Sequence, residues 1–399
     1  MRIIEISSPS EAIEELKKIH CDPAGIEIMA PKSVFKAVKL KNIRSVAANI
    51  IKQEMLSYGG EAATSYGSLD LSAKTTDIII MGTLRQFKHL TDKLRKHQFG
   101  LPQISKEIKK ALDNYAASPA PVKIKGKPLP FGKKTYIMGI LNVTPDSFSD
   151  GGKFLDADSA ISHADRMIKE GADIIDVGGE STRPGAASVP AKIEMDRIIP
   201  VIRALSKRKI IISVDTRKAS VAEAAVKAGA HIINDISGLR HDKKMARVAA
   251  KYGVPVVVMH IKGTPKTMQF LTNYEDIMME LIDYFEKSIE IAENAGILRN
   301  QIIIDPGFGF GKTPEQNLEI IKHLRELKVL GSPILIGTSR KSTIGKVLDL
   351  PAGQRIEGTA ATVSVAILNG ADIIRVHDVD QMKKVVKMTD AIARGKIKW

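Results

Sequence analysis

From Thr135 onward the chain repeats one pattern. A continuous apolar run of strand length ends in polar residues, and an amphipathic helix follows. The runs read TYIMGILNV, ADIIDVGGES, IIISVDT, HIINDISG, PVVVMHI, QIIIDPG, PILIGTS and DIIRVHD. Between them lie helical patterns such as SAISHADRMIKEG, ASVAEAAVKAG, KKMARVAAKYG, IMMELIDYFEKSIEIAENAG, PEQNLEIIKHLREL and GTAATVSVAILNG. Several end in the glycine expected of a helix C-cap. Continuous apolar strands alternating with helices predict a parallel sheet covered on both faces. Eight such units in roughly 265 residues predict a (β/α)8 TIM barrel over residues 135–399 rather than an open doubly wound sheet.

The first 118 residues have a different texture and predict a small accessory α/β domain. RIIEI, GIEIM and DIIIMG are apolar runs of strand length. SEAIEELKKI carries a capping-box pattern, and VAANIIKQEMLS, RQFKHLTDKLRKHQF and SKEIKKALDNYAAS continue with helical periodicity. SPAPVKIKGKPLPFGKK then gathers Pro, Gly and Lys without a helical period. It predicts a linker over residues 119–134 with room for a short hairpin.

With 44% apolar and 26% charged residues the composition is that of an ordinary globular protein. No run approaches the roughly 20 apolar residues of a membrane span, so no membrane partner is expected. The stretch MRIIEISSPSEAIEE has no signal-peptide core. A single cysteine, Cys21, leaves no pair for an internal disulfide or a Cys-based zinc cluster. These features predict a cytoplasmic location. The net charge of +15 would suit a polyanion. Its basic residues, however, recur at helical spacing in AIEELKKI and KHLTDKLRKH without interleaved aromatics. That is the pattern of solvated helix faces, and nucleic acid is not the expected partner.

A barrel of this kind builds its site from the C-terminal ends of its strands. The eight ends supply Asn142; Glu180, Ser181, Thr182 and Arg183; Asp215; Asn234 and Asp235; His260; Asp305; Ser339, Arg340, Lys341 and Ser342; and Arg375, His377 and Asp378. Asp215, Asn234 and Asp305 offer acceptors and an amide able to read a flat heterocycle with ring N–H groups and an exocyclic amine. Lys341 adds a donor to a ring carbonyl or nitrogen. Arg183, Arg375, His377 and Asn142 offer donors and positive charge to an anion. The pattern therefore suggests a heterocyclic substrate carrying phosphate. A structural reading stands beside it: Asp215 and Asp305 could cap helices or neutralise Arg217 and Lys312. His260 reads as a satisfied rim histidine, and no His or Cys pair has zinc spacing. DPGFGFGK is not G-x-G-x-x-G; its glycines suit a bent loop with Phe308 and Phe310 exposed at the rim.

MGILNVTPDSFSDGG and GADIIDVGGESTRPGA resemble the two hallmark segments of dihydropteroate synthases. The resemblance continues through SVDTRKASVAEAAVKAGAHIINDISG, MHIKGTPKTMQ, DPGFGFGK, GTSRKS and RVHDV, covering residues 130–399 in order. It implies condensation of 6-hydroxymethyl-7,8-dihydropterin diphosphate with p-aminobenzoate or a related arylamine, releasing pyrophosphate. It implies pterin binding by Asp215, Asn234, Asp305 and Lys341. Asn142, Arg375 and His377 match the diphosphate region, with Asn142 as the ligand of a Mg²⁺ cofactor. Thr182, Arg183, Ser342 and Phe310 match residues near the arylamine. Asp215, Asp305, Lys341, Arg375 and His377 are then the expected catalytic residues. A homodimer is expected, and the loops after strands one and two are expected to close over the diphosphate. The sequence departs from the family pattern at Thr343, where an aromatic or bulky residue is common, and at Ile261 and Lys262, where Met-Arg is common. The first domain resembles the N-terminal extension of some bacterial and archaeal members. A methyltetrahydrofolate–corrinoid methyltransferase on the same barrel would share the Asp/Asn set but would not need the diphosphate half. A non-catalytic pterin- or RNA-binding protein would not need Lys341, Arg375 and His377.

Overall fold

The computed structural model describes residues 1–144, 153–181 and 188–395. The expected lid segment Pro145–Gly152 and the site residues Thr182 and Arg183 lie outside the described residues. The chain divides into two compact units, Met1–Ala116 and Ala117–Trp399.

The first unit contains, in chain order, α1 (Pro9–Lys18), α2 (Pro23–Met29), β1 (Phe35–Arg44), α3 (Ser45–Ser57), β2 (Glu61–Thr64), β3 (Thr75–Thr83), α4 (Leu84–Leu94) and α5 (Leu101–Ala116). Its antiparallel sheet has the order β1-β3-β2. Ile78 and Ile80 from the sheet pack with Ile51, Met55, Phe87, Leu90, Leu94 and Ile108 from the helices. Two predicted strands are corrected. GIEIM is helical, because Asp22 caps Gly25 N–H at 2.8 Å and Pro23 starts the helix with a preset φ. RIIEI forms no strand; Ile3 is 96% exposed, and an apolar run without a neighbour to pair gains nothing by extending. The first strand is instead FKAVKLKNIR, whose alternating burial marks a half-covered sheet.

The second unit opens with a hairpin, β4 (Val122–Ile124) and β5 (Lys127–Leu129). The strands and helices then alternate: β6 (Tyr136–Asn142), α6 (Lys153–Glu170), β7 (Ile174–Gly178), α7 (Ala191–Leu205), β8 (Ile211–Asp215), α8 (Ala219–Ala228) and β9 (Ile232–Asp235). The second half continues with α9 (Met245–Tyr252), β10 (Val256–Met259), α10 (Ile277–Asn294), β11 (Ile302–Asp305), α11 (Pro314–His323), β12 (Leu335–Ile336), α12 (Ser342–Leu348), α13 (Ile356–Leu368), β13 (Ile373–Val376) and α14 (Val379–Arg394). The eight barrel strands are parallel in the order β11-β10-β9-β8-β7-β6-β13-β12. A parallel bridge between Ile304 and Ile334 joins the two ends, so the predicted (β/α)8 barrel closes. Gly229 and Gly253 end α8 and α9 in the left-handed region, the C-cap geometry their positions predicted.

Side-chain alternation sorts each strand. Ile175 and Val177 face the helices, while Ile174 faces a separate interior cluster. That cluster collects Met138, Ile232, Val257, Ile303, Leu335 and Ile373, and the hairpin residues Val122 and Ile124 join it. The barrel interior is thus apolar at this level, and its polar interior positions, such as Asp176, Ser213 and Asn234, stand one residue pair further along the strands. Among the described residues no helix is long and apolar enough to cross a membrane.

Gln301 holds the hairpin. Its Oε1 accepts from Lys123 N–H at 2.8 Å, and its Nε2 donates to Lys123 O at 3.1 Å. Gln301→Ala removes both partners of a half-buried backbone pair. The expected loss is about 1–3 kcal/mol of unfolding free energy, read from urea denaturation. An unchanged urea midpoint would show that the hairpin is held by apolar contacts alone.

Candidate active site

Register places four residues in one row across the C-terminal ends of neighbouring strands: Asn142, Gly178, Asp215 and Asn234. Gly178 contributes no side chain, so the row is open between Asn142 and Asp215. One pleat below Gly178 lies Asp176, fully buried. From β13, Arg375 reaches across: its Nε donates to Asp176 Oδ2 at 2.7 Å and its Nη2 to Asp215 Oδ2 at 2.7 Å. Asn234 Nδ2 also donates to Asp176 Oδ2, at 2.9 Å. With Nδ2 committed downward, the Asn234 oxygen is the end left to accept from a ligand.

The electrostatics follow from burial. Desolvation pushes the Asp215 carboxyl up, against the pull of Arg375 and with the help of the Asp176 charge. One guanidinium shared by two carboxylates leaves one negative charge uncompensated. Desolvation also works against the charge on Arg375, yet Asp176 and Asp215 outweigh it and hold its pKa above the ordinary value. Asp305, at the end of β11, is raised to about 6 by burial, opposed by the Gly307 N–H that its Oδ1 accepts at 2.8 Å and by Lys341. Lys341 is lowered to about 8 by desolvation and by Arg375. Its Nζ stands 4.2 Å from the Phe310 ring centroid, a cation–π contact. Phe308 and Phe310 are buried, not exposed as expected, because Phe308 packs into the main core and Phe310 joins Met259 and Ile261 in a small apolar cluster.

The turn that presents Lys341 is locally strained and externally held. Arg340 adopts φ +57°, a left-handed conformation unusual for a side chain with a Cβ. Its N–H donates to Thr359 Oγ1 at 3.2 Å. Arg355 Nη1 donates to the carbonyls of Arg340 and Lys341 at 3.1 and 3.3 Å, and Arg340 pairs with Asp378. Ser342 is the first residue of α12, immediately after the turn, and Thr343 is buried with its Oγ1 accepting from Asn317 Nδ2 at 3.1 Å.

His377 does not supply the second positive charge that its type suggested. Burial and Arg375 push its imidazole down to about 3. Ser339 Oγ accepts from the His377 backbone N–H at 3.2 Å and lies 3.0 Å from Nδ1. The serine hydrogen is then free for Nδ1, which assigns the ring proton to Nε2 and makes His377 a neutral donor. Asp235 is also reassigned. It accepts from Ser237 N at 2.8 Å and Leu239 N at 2.9 Å and so shapes its own loop. Arg217 pairs with Glu180 at 2.9 Å, not with Asp215. A cleft at this rim is lined by Glu180, Ser181, Asp215, Thr216, Arg217, Ile236 and Pro265.

The structure therefore joins Asp215, Asn234 and Arg375 in one hydrogen-bonded set and brings Lys341 within electrostatic reach of Asp305 and of this set. Asp176 was missing from the sequence reading because it lies inside the apolar run ADIIDV, below the strand end. The available signal was a charge within an otherwise buried strand, which requires a partner.

Residues 138–377 match the pterin binding enzyme family. The chain is 50% identical over 286 residues to the dihydropteroate synthase of Synechocystis sp., covering 71% of this chain and 98% of that protein. A probable bifunctional folylpolyglutamate synthase/dihydropteroate synthase of Halobacterium salinarum is 40% identical over 391 residues, covering 98% of this chain and 47% of the longer protein. A crystal structure of dihydropteroate synthase from Clostridium difficile in the presence of pteroic acid superposes with a TM-score of 0.64 at 53% identity, covering 67% of this chain and 99% of that one. A family match over more than half the chain, on a barrel whose rim carries an Asp/Asn/Arg set suited to a flat heterocycle, means that the chain belongs to the pterin binding enzymes.

Proposed function

We propose that the chain catalyses dihydropteroate synthesis, joining 6-hydroxymethyl-7,8-dihydropterin diphosphate to p-aminobenzoate or a related arylamine. The observation that carries this reading is the set formed by Asp176, Asp215, Asn234 and Arg375 at the barrel rim, in a chain 50% identical to a dihydropteroate synthase. Asp215, Asp305 and the Asn234 oxygen accept from the pterin edge, and Lys341 donates to it. Arg375 and the neutral His377 Nε2–H face the diphosphate side.

In the reaction the carbon–oxygen bond to the diphosphate breaks and its electron pair leaves with pyrophosphate. The methylene carbon becomes electron-poor, and its charge spreads into the pterin ring. The uncompensated negative charge shared by Asp176 and Asp215 favours that cation. The arylamine lone pair then forms the new carbon–nitrogen bond, and the amine releases one proton. A neutral arylamine is already nucleophilic, so the chain needs to orient it and to limit water at the cation. Phe310 and Ser342 stand at the rim for this, and the resemblance adds Thr182 and Arg183.

Asn142 at the end of β6 fits a Mg²⁺ that arrives with the substrate. Its amide oxygen is a hard donor, and magnesium completes its shell with phosphate oxygens and water. When bound, the ion would neutralise charge on the leaving pyrophosphate. We further propose a cytoplasmic homodimer. The lone Cys21 suits a reducing compartment. Val365 and Leu368 of α13 and Met388 and Ile392 of α14 are exposed apolar side chains on adjacent helices, a surface suited to a second copy.

The direct test is pyrophosphate release from the pterin diphosphate with a panel of arylamines, with and without Mg²⁺. Release that requires an arylamine supports the reading, and no release with any amine rejects it. Asp215→Asn and Arg375→Ala should each lower kcat at least about 100-fold. Asp176→Asn should lower kcat/KM by about 100-fold, since it frees Arg375 and lets the Asn234 amide turn over. Wild-type rates in these variants would displace the assigned roles. Pterin binding should also depend on pH. Burial raises Asp305 to about 6 and Asp215 to about 7, and the ionised forms are the acceptors, so affinity is full above both values and falls as pH drops through them. Calorimetric titration between pH 8 and 5 should show weakening on acidification; stronger binding at pH 5 would contradict the acceptor role.

A further inference from the structure

Lys312 follows the glycine-rich loop after β11 and is buried. Its Nζ meets three acceptors: His260 Nδ1 at 2.9 Å, Gly307 O at 3.1 Å and Phe310 O at 3.0 Å. Burial lowers the Lys312 pKa to about 7, and three acceptors around one Nζ, with His260 held neutral by its own burial, fit the protonated form; its three hydrogens are then all committed and none remains for a substrate. The three acceptors come from two places, the residue after β10 and the loop itself. The two strands are also tied by the backbone, since His260 N donates to Asp305 O at 2.9 Å.

The loop is built around this cation. Gly307, Gly309 and Gly311 take φ values of +68°, +83° and +64°. At Gly307 a Cβ would come within 2.0 Å of His260 O, so the close approach needs glycine as well as the left-handed conformation. This path turns the carbonyls of Gly307 and Phe310 inward to Lys312. The same residues present the site from the other side. Gly307 N–H fixes Asp305 Oδ1, and Gly309 N–H donates to Asn317 Oδ1 at 2.7 Å. Phe310 lies against Lys341. Burying an ammonium is unfavourable, and a methionine would fill a similar volume without that cost.

We propose that Lys312 is a positioning residue for the condensation: it draws the loop carbonyls and His260 together and so sets Asp305 and Phe310 against the substrates. The inference rests on the proposed function. Lys312→Met leaves three buried acceptors without their donor, and the loop can relax away from the site. The expected result is a KM for the arylamine raised at least about tenfold and a kcat reduced in the folded enzyme, with the melting temperature still well above that of the assay. His260 supplies an independent arm. His260→Asn places an amide oxygen near the former Nδ1 and should retain most activity, whereas His260→Leu should reproduce the Lys312→Met kinetics. If Lys312→Met fails to fold, the two His260 variants decide. Wild-type kinetics in folded Lys312→Met, or equal impairment of His260→Asn and His260→Leu, overturns the proposal. Wild-type protein that releases no pyrophosphate overturns the function itself, and this inference with it.

Discussion

One guanidinium shared by two buried carboxylates organises the site. Arg375 comes from the last barrel strand, Asp176 and Asp215 from the second and third. Breaking any one of these contacts leaves a charge largely withdrawn from water, so the three side chains fix one another. Asn234 is recruited into the same set through Asp176 and has its amide direction assigned by it. The donor and acceptor pattern shown to a ligand is therefore a property of the set, and it depends on a residue that a bound heterocycle need not touch.

The barrel makes such a set possible by converting distant sequence positions into neighbours. Asp176 and Arg375 are 199 residues apart in the chain. Parallel register brings them to one rim, and the alternation of side chains sends both inward. Beneath them the apolar interior is closed by the β4–β5 hairpin, whose Val122 and Ile124 join the interior cluster. A polar layer above a dry floor has no route to solvent from below, which strengthens each charge–charge contact in it.

The loops after β11 and β12 show how an irregular backbone is held without regular secondary structure. In the first, a buried ammonium collects carbonyls that glycine conformations have turned inward. In the second, Arg355 collects the carbonyls of Arg340 and Lys341 from outside. Both arrangements satisfy backbone groups that a sheet or helix would otherwise pair. Both also fix a charged or aromatic side chain at the rim, namely Lys341 and Phe310. The first unit follows simpler rules, with helices packed on one face of a three-stranded sheet.

By itself the sequence determined the barrel, because eight continuous apolar runs separated by amphipathic helices have few other ways to bury themselves. It also determined most of the rim, since residues that close a parallel strand must arrive at the same end. It was less informative in the first unit, where GIEIM proved helical and FKAVKLKNIR supplied the first strand. There the decision lay with Asp22 and Pro23 and with the pairing of β1 to β3, which apolar content alone does not reveal. Only the tertiary structure decided which carboxylates share Arg375, that Asp176 is one of them, and that His377 stands neutral beside Ser339. These outcomes depend on distance and burial, and a linear pattern encodes neither.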